Sequence, residues 1–511
     1  MNFNTKGVTM KIWTKLGLLS LVGLTLTACG SNTKTAKEQS SSSQKVETSA
    51  GASKSNTYAD PSTLSDKYDV IIVGSGGAGM TAAIEAKDAG MNPVILEKMP
   101  IAGGNTSKAS AGLNASETSV EKAQGIADSN DKFYEETLKG GGGTNDKALL
   151  RYFVDHSAGA VDWLNTNGIV LDNLTTTGGM SVSRTHRPHD GSAVGGYLVK
   201  GLEENISKRN IPLFVNSDVT KITEKDGKVS GVKVKIEGET KNISSKAVVV
   251  TTGGFGANKK MIAKYRPDLK DYVTTNAAGS TGDGITMISE LGGQLVDMDK
   301  IQIHPTVFQK TGYLVSESIR GEGAILVNQK GKRFFNEMDT RDKVSAAELK
   351  QPGKYSYVIF GEGTKANVKA VEQYMSKDMV VEGNSVKDLA DKLDIDQKTL
   401  TSTIDGWNKA VSTKKDEEFG RTTGMTNNIS GKFYAIKVAP GIHHTMAGVK
   451  INTNTQVLKK DGSPIQGLYA AGEVTGGLHG GNRIGGNAVA DIVIFGRQAG
   501  LQSSAYAKTI D

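Results

Sequence analysis

The sequence predicts an α/β fold in which one parallel-sheet domain is split by an inserted α+β domain. Three observations carry that prediction. A β-branched run near residue 70 leads into a glycine-rich turn and a helix, and a second glycine-rich segment lies close to the C-terminus. The composition is the third: 62 Gly, 10 Pro and 6% aromatics in 511 residues, with 37% hydrophobic and 23% charged positions. Such a chain is neither collagenous nor disordered and is long enough for two or three domains.

In chain order, the first element is an address. Lys11 and Lys15 precede the apolar run from Leu16 to Leu26, the length of a signal-peptide core and shorter than a membrane-spanning helix. It ends Leu26-Thr27-Ala28-Cys29-Gly30, which resembles the lipobox of bacterial lipoproteins, where the cysteine is acylated. Residues 1–28 are expected to be a lipoprotein signal peptide and Cys29 a lipidation site, the alternative being a plain secretory signal. Residues 29–60 are Ser, Thr, Lys, Asn and Ala with few apolar side chains, the composition of a flexible tether. The expected location is the extracytoplasmic face of the cell membrane, held by a lipid.

Charge and cysteine content exclude several functions. Lys6, Lys11 and Lys15 contribute three of the seven net positive charges, so the remainder is only mildly basic. With no concentrated basic patch interleaved with aromatics, a nucleic-acid partner is not expected. Cys29 is the sole cysteine, which leaves no intrachain disulfide, no Cys-ligated iron–sulfur cluster and no Cys-x-x-Cys-His haem site. Redox chemistry would need an organic cofactor.

The body opens with the run Asp69 to Val73, as expected of a strand buried on both faces. Gly74-Ser75-Gly76-Gly77-Ala78-Gly79 follows, then a helical stretch through Ala89, a turn at Gly90 and a second strand from Pro93 to Leu96 ending at Glu97. Strand, GxGxxG, helix and a following acid make the full Rossmann fingerprint. Gly74 permits the tight turn, Gly76 lets backbone approach a pyrophosphate, and Gly79 allows close helix–strand packing. The helix N-terminus faces the phosphate charge. Glu97 can accept hydrogen bonds from ribose hydroxyls and would repel a 2′-phosphate.

Two features favour FAD over NAD. The small-residue loop from Gly103 through Gly104, Asn105 and Thr106 to Ala111 and Gly112 suits a bulky ring lying against backbone. The segment Gly467 to Gly477, containing Glu473, again reads as backbone packed against a cofactor. Two distant segments meeting at one nucleotide site imply a buried FAD and a split domain.

Further motifs then carry a resemblance: His304-Pro305-Thr306, Ser316-Glu317-Ser318-Ile319-Arg320-Gly321, Thr340-Arg341-Asp342-Lys343, His443-His444-Thr445-Met446, and the stretch from His479 through Arg483 to Asn487. On these the chain, over roughly residues 65–510, resembles the soluble fumarate reductase/flavocytochrome c family, related to succinate dehydrogenase flavoproteins and urocanate reductase. The resemblance implies FAD-dependent reduction of a small unsaturated carboxylate, fumarate above all, by hydride transfer from flavin N5 and proton delivery. It implies non-covalent FAD contacts at Ala78, Glu97, Lys98, Asn105, Thr106, Ala111, Gly112, Val219, Asp283, His444, Glu473, Ala488 and Val489. Arg483 and His443 are implied to hold one substrate carboxylate, with His304, Thr306, Ser316 and Glu317 around the other. An arginine suits that clamp because its fork bonds a carboxylate bidentately. Arg341 is implied as proton donor; since a guanidinium ordinarily stays protonated, Glu317 and Arg320 are implied to replace the proton as it leaves.

Against the family pattern, Ser316 stands where Thr is expected and keeps the hydroxyl. His304 matches a fumarate-type pocket, urocanate reductase being expected to carry Tyr there. Neither the haem domain nor the flavinylated FMN domain of the family's prototypes is expected here, so electrons are expected from a separate donor: a protein, a quinol-linked system or a flavin. The resemblance places the split FAD-binding domain at 61–300 and 437–511 and a capping domain at 301–436. Other readings remain: another enoate (urocanate, acrylate, cinnamate), or a non-catalytic FAD electron carrier. Arg341 and Arg320 could instead pair on the surface with Asp342 and Glu322. No metal site is expected, because the seven histidines lack HExxH spacing. Thr185 to His189 reads as a charged loop near the cofactor or substrate, and Gly140 to Gly143 as a flexible loop.

Overall fold

A computed structural model describes residues 58–510. The signal segment, Cys29 and most of the tether lie outside the described residues, and expectations about them rest on sequence alone.

The first strand, Lys67–Val73, pairs in parallel with Pro93–Leu96 on one side and with Glu239–Val250 on the other. Leu213–Phe214 extends the sheet beyond Pro93–Leu96. Pro464–Ala470 joins Glu239–Val250 in parallel, matching Leu468 with Val248 and Ala470 with Val250. The two glycine-rich segments, far apart in sequence, thus emerge at the same edge of one sheet, the C-terminal strand ends where α/β folds bind ligands. Val70, Ile71, Ile72, Val94, Ile95 and Ala247 to Val250 are fully buried, each aliphatic side chain contributing about 1.5–3 kcal/mol.

Glu239–Val250 also closes an antiparallel meander with Asp218–Lys225 and Lys228–Ile236. Its turns are Asp226-Gly227 and Glu237-Gly238, all four residues at positive φ, the two-residue geometry that matches strand twist. Helix Gly77–Asp88 covers the sheet and packs against the long helix Asn487–Ala507. Both contacts require glycine. A Cβ on Gly79 would sit 2.0 Å from Gly74 O, and one on Gly500 would sit 2.4 Å from Ala82 O.

A second sheet runs in the order Tyr313–Leu314, Ile301–Phe308, Phe433–Thr445, Ser356–Gly361, Ile325–Val327, with Val381–Gly383 also on Phe433–Thr445. Its neighbours are antiparallel. Period-two alternation sends Ile325, Val327, Tyr357 and Ile359 into a cluster with Leu400, Ile404 and Trp407. Leu326, Val358 and Phe360 go to the opposite face, against Val344, Val371 and Tyr374. Helix Gln397–Thr413 therefore covers one face, while Arg341–Glu348 and Ala370–Ser376 cover the other. Phe433–Thr445 crosses position 437 without a break: Ala435 and Ile436 serve the second sheet, and Ile442 joins the first core. This strand carries His443 and His444 to the junction.

Two loop expectations need correction. Thr185–Arg187 is a buried strand between Leu113–Asn114 and Asn173–Thr175. Its polar side chains find partners inside: His186 Nδ1 lies 2.9 Å from Arg184 O and Nε2 lies 2.9 Å from Thr118 Oγ1. Burial holds that imidazole neutral, at about 4. Gly140 ends the helix Asn130–Gly140, and Gly141 O accepts from Gly481 N at 2.8 Å. The run is thus a packed turn bracing the 480–482 loop.

Candidate active site

A cavity of about 590 Å³ runs from the C-terminal strand ends into the junction of the two sheets, within the usual range for small-molecule sites. At one end it is lined by Gly74, Gly76, Gly77, Ala78, Glu97, Lys98, Gly104, Asn105, Thr106, Ala111, Val219 and Asp283. Glu473, Ala488 and Val489 line its middle, and Arg341, His443, His444 and Arg483 its far end. Gly79 and Gly112 stand behind the lining: Gly79 packs on Gly74, and Gly112 on Thr185 to Arg187.

The nucleotide end is held in place by local bonds. Glu97 accepts from Ser75 N (2.9 Å), Ser75 Oγ (2.7 Å) and Met99 N (2.8 Å). Lys98 pairs with Asp283. Asn105 donates to Glu473 at 2.9 Å and accepts from Ala277 N at 2.7 Å. Glu473 also accepts from Thr445 N at 3.0 Å, and burial pushes its carboxyl up.

These residues fit an extended dinucleotide. Above Gly76 only Thr106 Oγ1 comes within 4 Å of a Cβ position, so backbone there is open to a ligand. Two helices begin in the lining without a side-chain cap, Gly77–Asp88 at Gly76 and Asn487–Ala507 at Gly486. Their free amides and positive dipole ends suit a pyrophosphate and an electron-rich ring. His444 is buried with neither ring nitrogen bonded, as a ligand-facing imidazole would be before its partner arrives.

The far end is a cluster of charges. Arg341 opens the Arg341–Glu348 helix and grips Glu317 bidentately, Nε to Oε1 at 2.8 Å and Nη2 to Oε2 at 3.0 Å. Arg320, one helical turn past Glu317, reaches it at 3.6 Å. Burial alone would push the Glu317 carboxyl up, but Arg341, then Arg320 and Arg483, hold it down at about 2. The surface pairings with Asp342 and Glu322 are therefore not formed: both arginines are buried on Glu317.

Arg483 lines the cavity without a carboxylate partner. Its Nη1 donates to Ile484 O, its Nη2 to Gln302, and its Nε to nothing. Burial, then the charge of Arg341, draws it down to about 9. His443 Nδ1 lies 2.7 Å from Thr275 Oγ1, and its ring is 5.1 Å from that of His304. His444 points the other way, toward His479 at 5.4 Å. The Thr306 amide donates to His304 Nδ1 at 3.2 Å, which assigns the ring proton to Nε2, 3.8 Å from Glu317. Burial and the neighbouring arginines push both His304 and His443 well below the ordinary imidazole range, so both are neutral at pH 7. Arg341 and Arg320 thus share Glu317, while Arg483 forms no ion pair and has Glu317, Glu473 and Asp491 only as more distant counter-charges.

Some expected substrate contacts lie elsewhere. His304, Thr306, Ser316, Glu317 and Arg320 do not line the cavity. Thr306 Oγ1 donates to Val315 O at 2.7 Å, and Ser316 Oγ accepts from Ser318 N, capping the helix that carries Glu317. Both hydroxyls are buried against their own chain, which sequence spacing could not reveal.

Gln302 was missed altogether. Its Oε1 accepts from Arg341 Nη1 at 3.0 Å and Arg483 Nη2 at 3.1 Å, while its Nε2 donates to Asn482 and to Arg483 O. Its position two residues before His304 on one strand was the available signal. Gln302→Leu removes the shared acceptor from both guanidinium groups, costing about 1.5–3 kcal/mol. The expected result is a fall of about 10- to 150-fold in kcat/KM with flavin content unchanged; activity at the unsubstituted level would contradict a bridging role.

Known proteins resemble the chain over most of its length. The family described as FAD binding domain matches residues 69–489. The chain is 55% identical over 443 residues to the NADH:fumarate oxidoreductase of Klebsiella pneumoniae (strain 342), covering 86% of this chain and 48% of that protein. It is 44% identical over 447 residues to the fumarate reductase (cytochrome) of Shewanella frigidimarina, covering 87% of this chain and 78% of that one. The chain therefore spans about half the length of the first relative and most of the second. Among solved structures, the open conformation of a flavocytochrome c3 fumarate reductase superposes with a TM-score of 0.73 at 42% identity, over 88% of this chain and 80% of that one.

Proposed function

This chain belongs to the FAD binding domain family and uses FAD as its cofactor, and from that premise we propose that it reduces the C=C bond of fumarate to succinate. The observation that carries the reading is the buried Arg483 guanidinium at the inner end of the cavity, with no carboxylate ion-paired to it and the charge of Arg341 beside it. A buried charge without a close partner is costly, and a dicarboxylate supplies two negative charges to the two cavity-lining guanidinium groups, Arg483 and Arg341. A monoanionic enoate such as urocanate or acrylate supplies one.

FAD, when bound, supplies the hydride. The chain's own residues do the rest. Arg483 and His443 hold one carboxylate, withdrawing electron density so that the alkene becomes electrophilic. His304, behind the cavity wall, turns its Nε2–H toward Glu317, with Thr306 fixing its tautomer and Ser316 holding the Glu317 helix. Arg341 delivers the proton to the second alkene carbon, and Glu317 and Arg320 replace it. Because Arg341 starts a helix of the second sheet's layer and Arg483 precedes a helix of the first, the site is complete only when both layers meet around the substrate.

The proposal is tested by reducing the purified protein with a viologen and offering fumarate, urocanate and acrylate in parallel, with product analysis. Turnover with fumarate well above the other two is expected. Turnover confined to urocanate or acrylate would change the substrate, and reduced flavin that no alkene reoxidises would leave an electron carrier.

The pH profile follows from the same charges. His304 and His443 are already neutral, so kcat/KM should carry no histidine limb between about pH 6 and 8. Arg483 loses its charge as pH rises through about 9, so KM for fumarate should climb above that pH. An inflection near pH 6.5 would contradict this assignment of charges.

We extend the proposal to location and partners. Cys29 would carry the lipid that holds the protein on the outer face of the membrane, with electrons arriving from a separate donor. Cys29→Ser should move the protein from the membrane to the soluble fraction; unchanged membrane association would contradict the anchor.

A further inference from the structure

Seven residues after Arg341, Glu348 closes the same helix and is fully buried. Its Oε1 accepts from Ser356 Oγ at 2.6 Å, and its Oε2 has no partner. Residues 341, 345 and 348 are spaced four and three apart and so stack on one helix face. Ser345, between the two charged residues, is also buried, and its Oγ is unpartnered. Arg320 faces Glu348 electrostatically; its Nη2 turns to Glu317 at 3.6 Å, and its Nε is buried without a hydrogen-bond partner. Three orphaned polar atoms, Glu348 Oε2, Ser345 Oγ and Arg320 Nε, therefore lie behind the Arg341–Glu317–Arg320 chain. Native interiors satisfy such groups with ordered water, each molecule making two to four bonds.

We propose that Glu348 is a further station of the proton relay: a buried carboxylic acid that reprotonates Arg320 through internal water. The proposal rests on the reading of Arg341 as proton source. The step balances without any redox partner. After Arg320 has passed a proton to Glu317, and Glu317 one to Arg341, Arg320 is a neutral guanidine. The O–H bond of Glu348 breaks, its proton enters the bridging water, and that water gives a proton to the guanidine nitrogen. A Glu348 carboxylate then faces a restored Arg320 guanidinium until a proton from solvent returns the acid form.

The local environment keeps the station loaded. Burial drives the Glu348 carboxyl well above the ordinary carboxylate range, opposed by the Ser356 bond and by Arg320. With no cation within ion-pair reach the acid form is favoured, and the ionised form is supported by the Ser356 bond and by the Arg320 charge it would replenish.

The test uses the FAD-loaded enzyme. The wild-type infrared spectrum should contain the C=O band of a buried protonated carboxylic acid, shifted in D2O and missing from Glu348→Gln. In the viologen–fumarate assay Glu348→Gln should lower kcat by about 100-fold, the lower end of the general-acid range. KM and flavin content should be unchanged and the solvent deuterium isotope effect increased. A wild-type spectrum without the band overturns the proposal even if the variant does not fold. So does a variant with unaltered kcat and isotope effect, or one whose loss comes with raised KM and an unaltered isotope effect, the pattern of a merely structural role. Arg341→Gln in the same assay separates the two levels. If it retains fumarate reduction, the underlying reading fails; if it is inactive while Glu348→Gln is normal, only the extension fails.

Discussion

Arg341→Gln should abolish nearly all fumarate reduction, lowering kcat by about 10³- to 10⁴-fold, the upper part of the range for a positioned general acid. The size follows from what surrounds the residue. Arg341 is the one member of the relay that lines the cavity; Glu317 and Arg320 lie behind it. The other groups at that wall are poor replacements: burial, the largest influence on both, favours the neutral form of His443 and His444, and Arg483 is engaged with the substrate carboxylate. The bidentate bond to Glu317 also fixes the guanidinium at one orientation. Breaking it leaves Glu317 with Arg320 at 3.6 Å, so some stability is lost as well, and removing one partner of a buried pair typically costs about 3–5 kcal/mol. Flavin content and a thermal melt therefore accompany the kinetics. The expected outcome is a folded, flavin-loaded protein that a viologen reduces and fumarate scarcely reoxidises. Arg341→Lys, which keeps charge but loses the fork, should recover little.

The second large effect is expected at Arg483, and its kinetic signature differs. Arg341→Gln should act mainly on kcat, because its proton is needed only in the transition state. Arg483→Met removes a charge that acts in both binding and activation, so KM should rise as kcat falls. Truncating one member of a buried charge pair costs about 2–5 kcal/mol, or about 30- to 5,000-fold in kcat/KM. The lower bound applies if His443 and Gln302 keep the carboxylate in place. Without Arg483 one cavity-lining guanidinium remains instead of two, so discrimination between fumarate and monoanionic acrylate should narrow. A variant with an undiminished preference for the dianion would show that the charge balance does not set specificity.

The sequence made the nucleotide end legible because its determinants are local. Asp69 to Glu97 carries its own strand, turn, helix and acid within thirty residues, and each glycine there answers a contact a few residues away. The parallel pairing of Pro464–Ala470 with Glu239–Val250 was legible only as two similar segments needing a common site; nothing local states which strands are neighbours. The charged end was readable only through resemblance. Arg341, Glu317 and Arg320 are individually ordinary surface residue types, and their burial arises from the second sheet's packing. Gln302 carries no motif, and its role exists because two guanidinium groups from different layers converge on one oxygen. Thr185–Arg187 misled for the opposite reason: His and Arg suggest solvent, yet both side chains are satisfied inside. Thr306 and Ser316 show the same limit, since a hydroxyl's direction depends on the fold around it.

The most direct measurement is an anaerobic single turnover: the reduced, FAD-loaded protein mixed with stoichiometric fumarate, following flavin absorbance and product together. The account predicts complete reoxidation with one succinate formed per flavin, at a rate that collapses in Arg341→Gln while fumarate still binds. Flavin that stays reduced in the presence of bound fumarate, or reoxidation that the substitution leaves untouched, would contradict it.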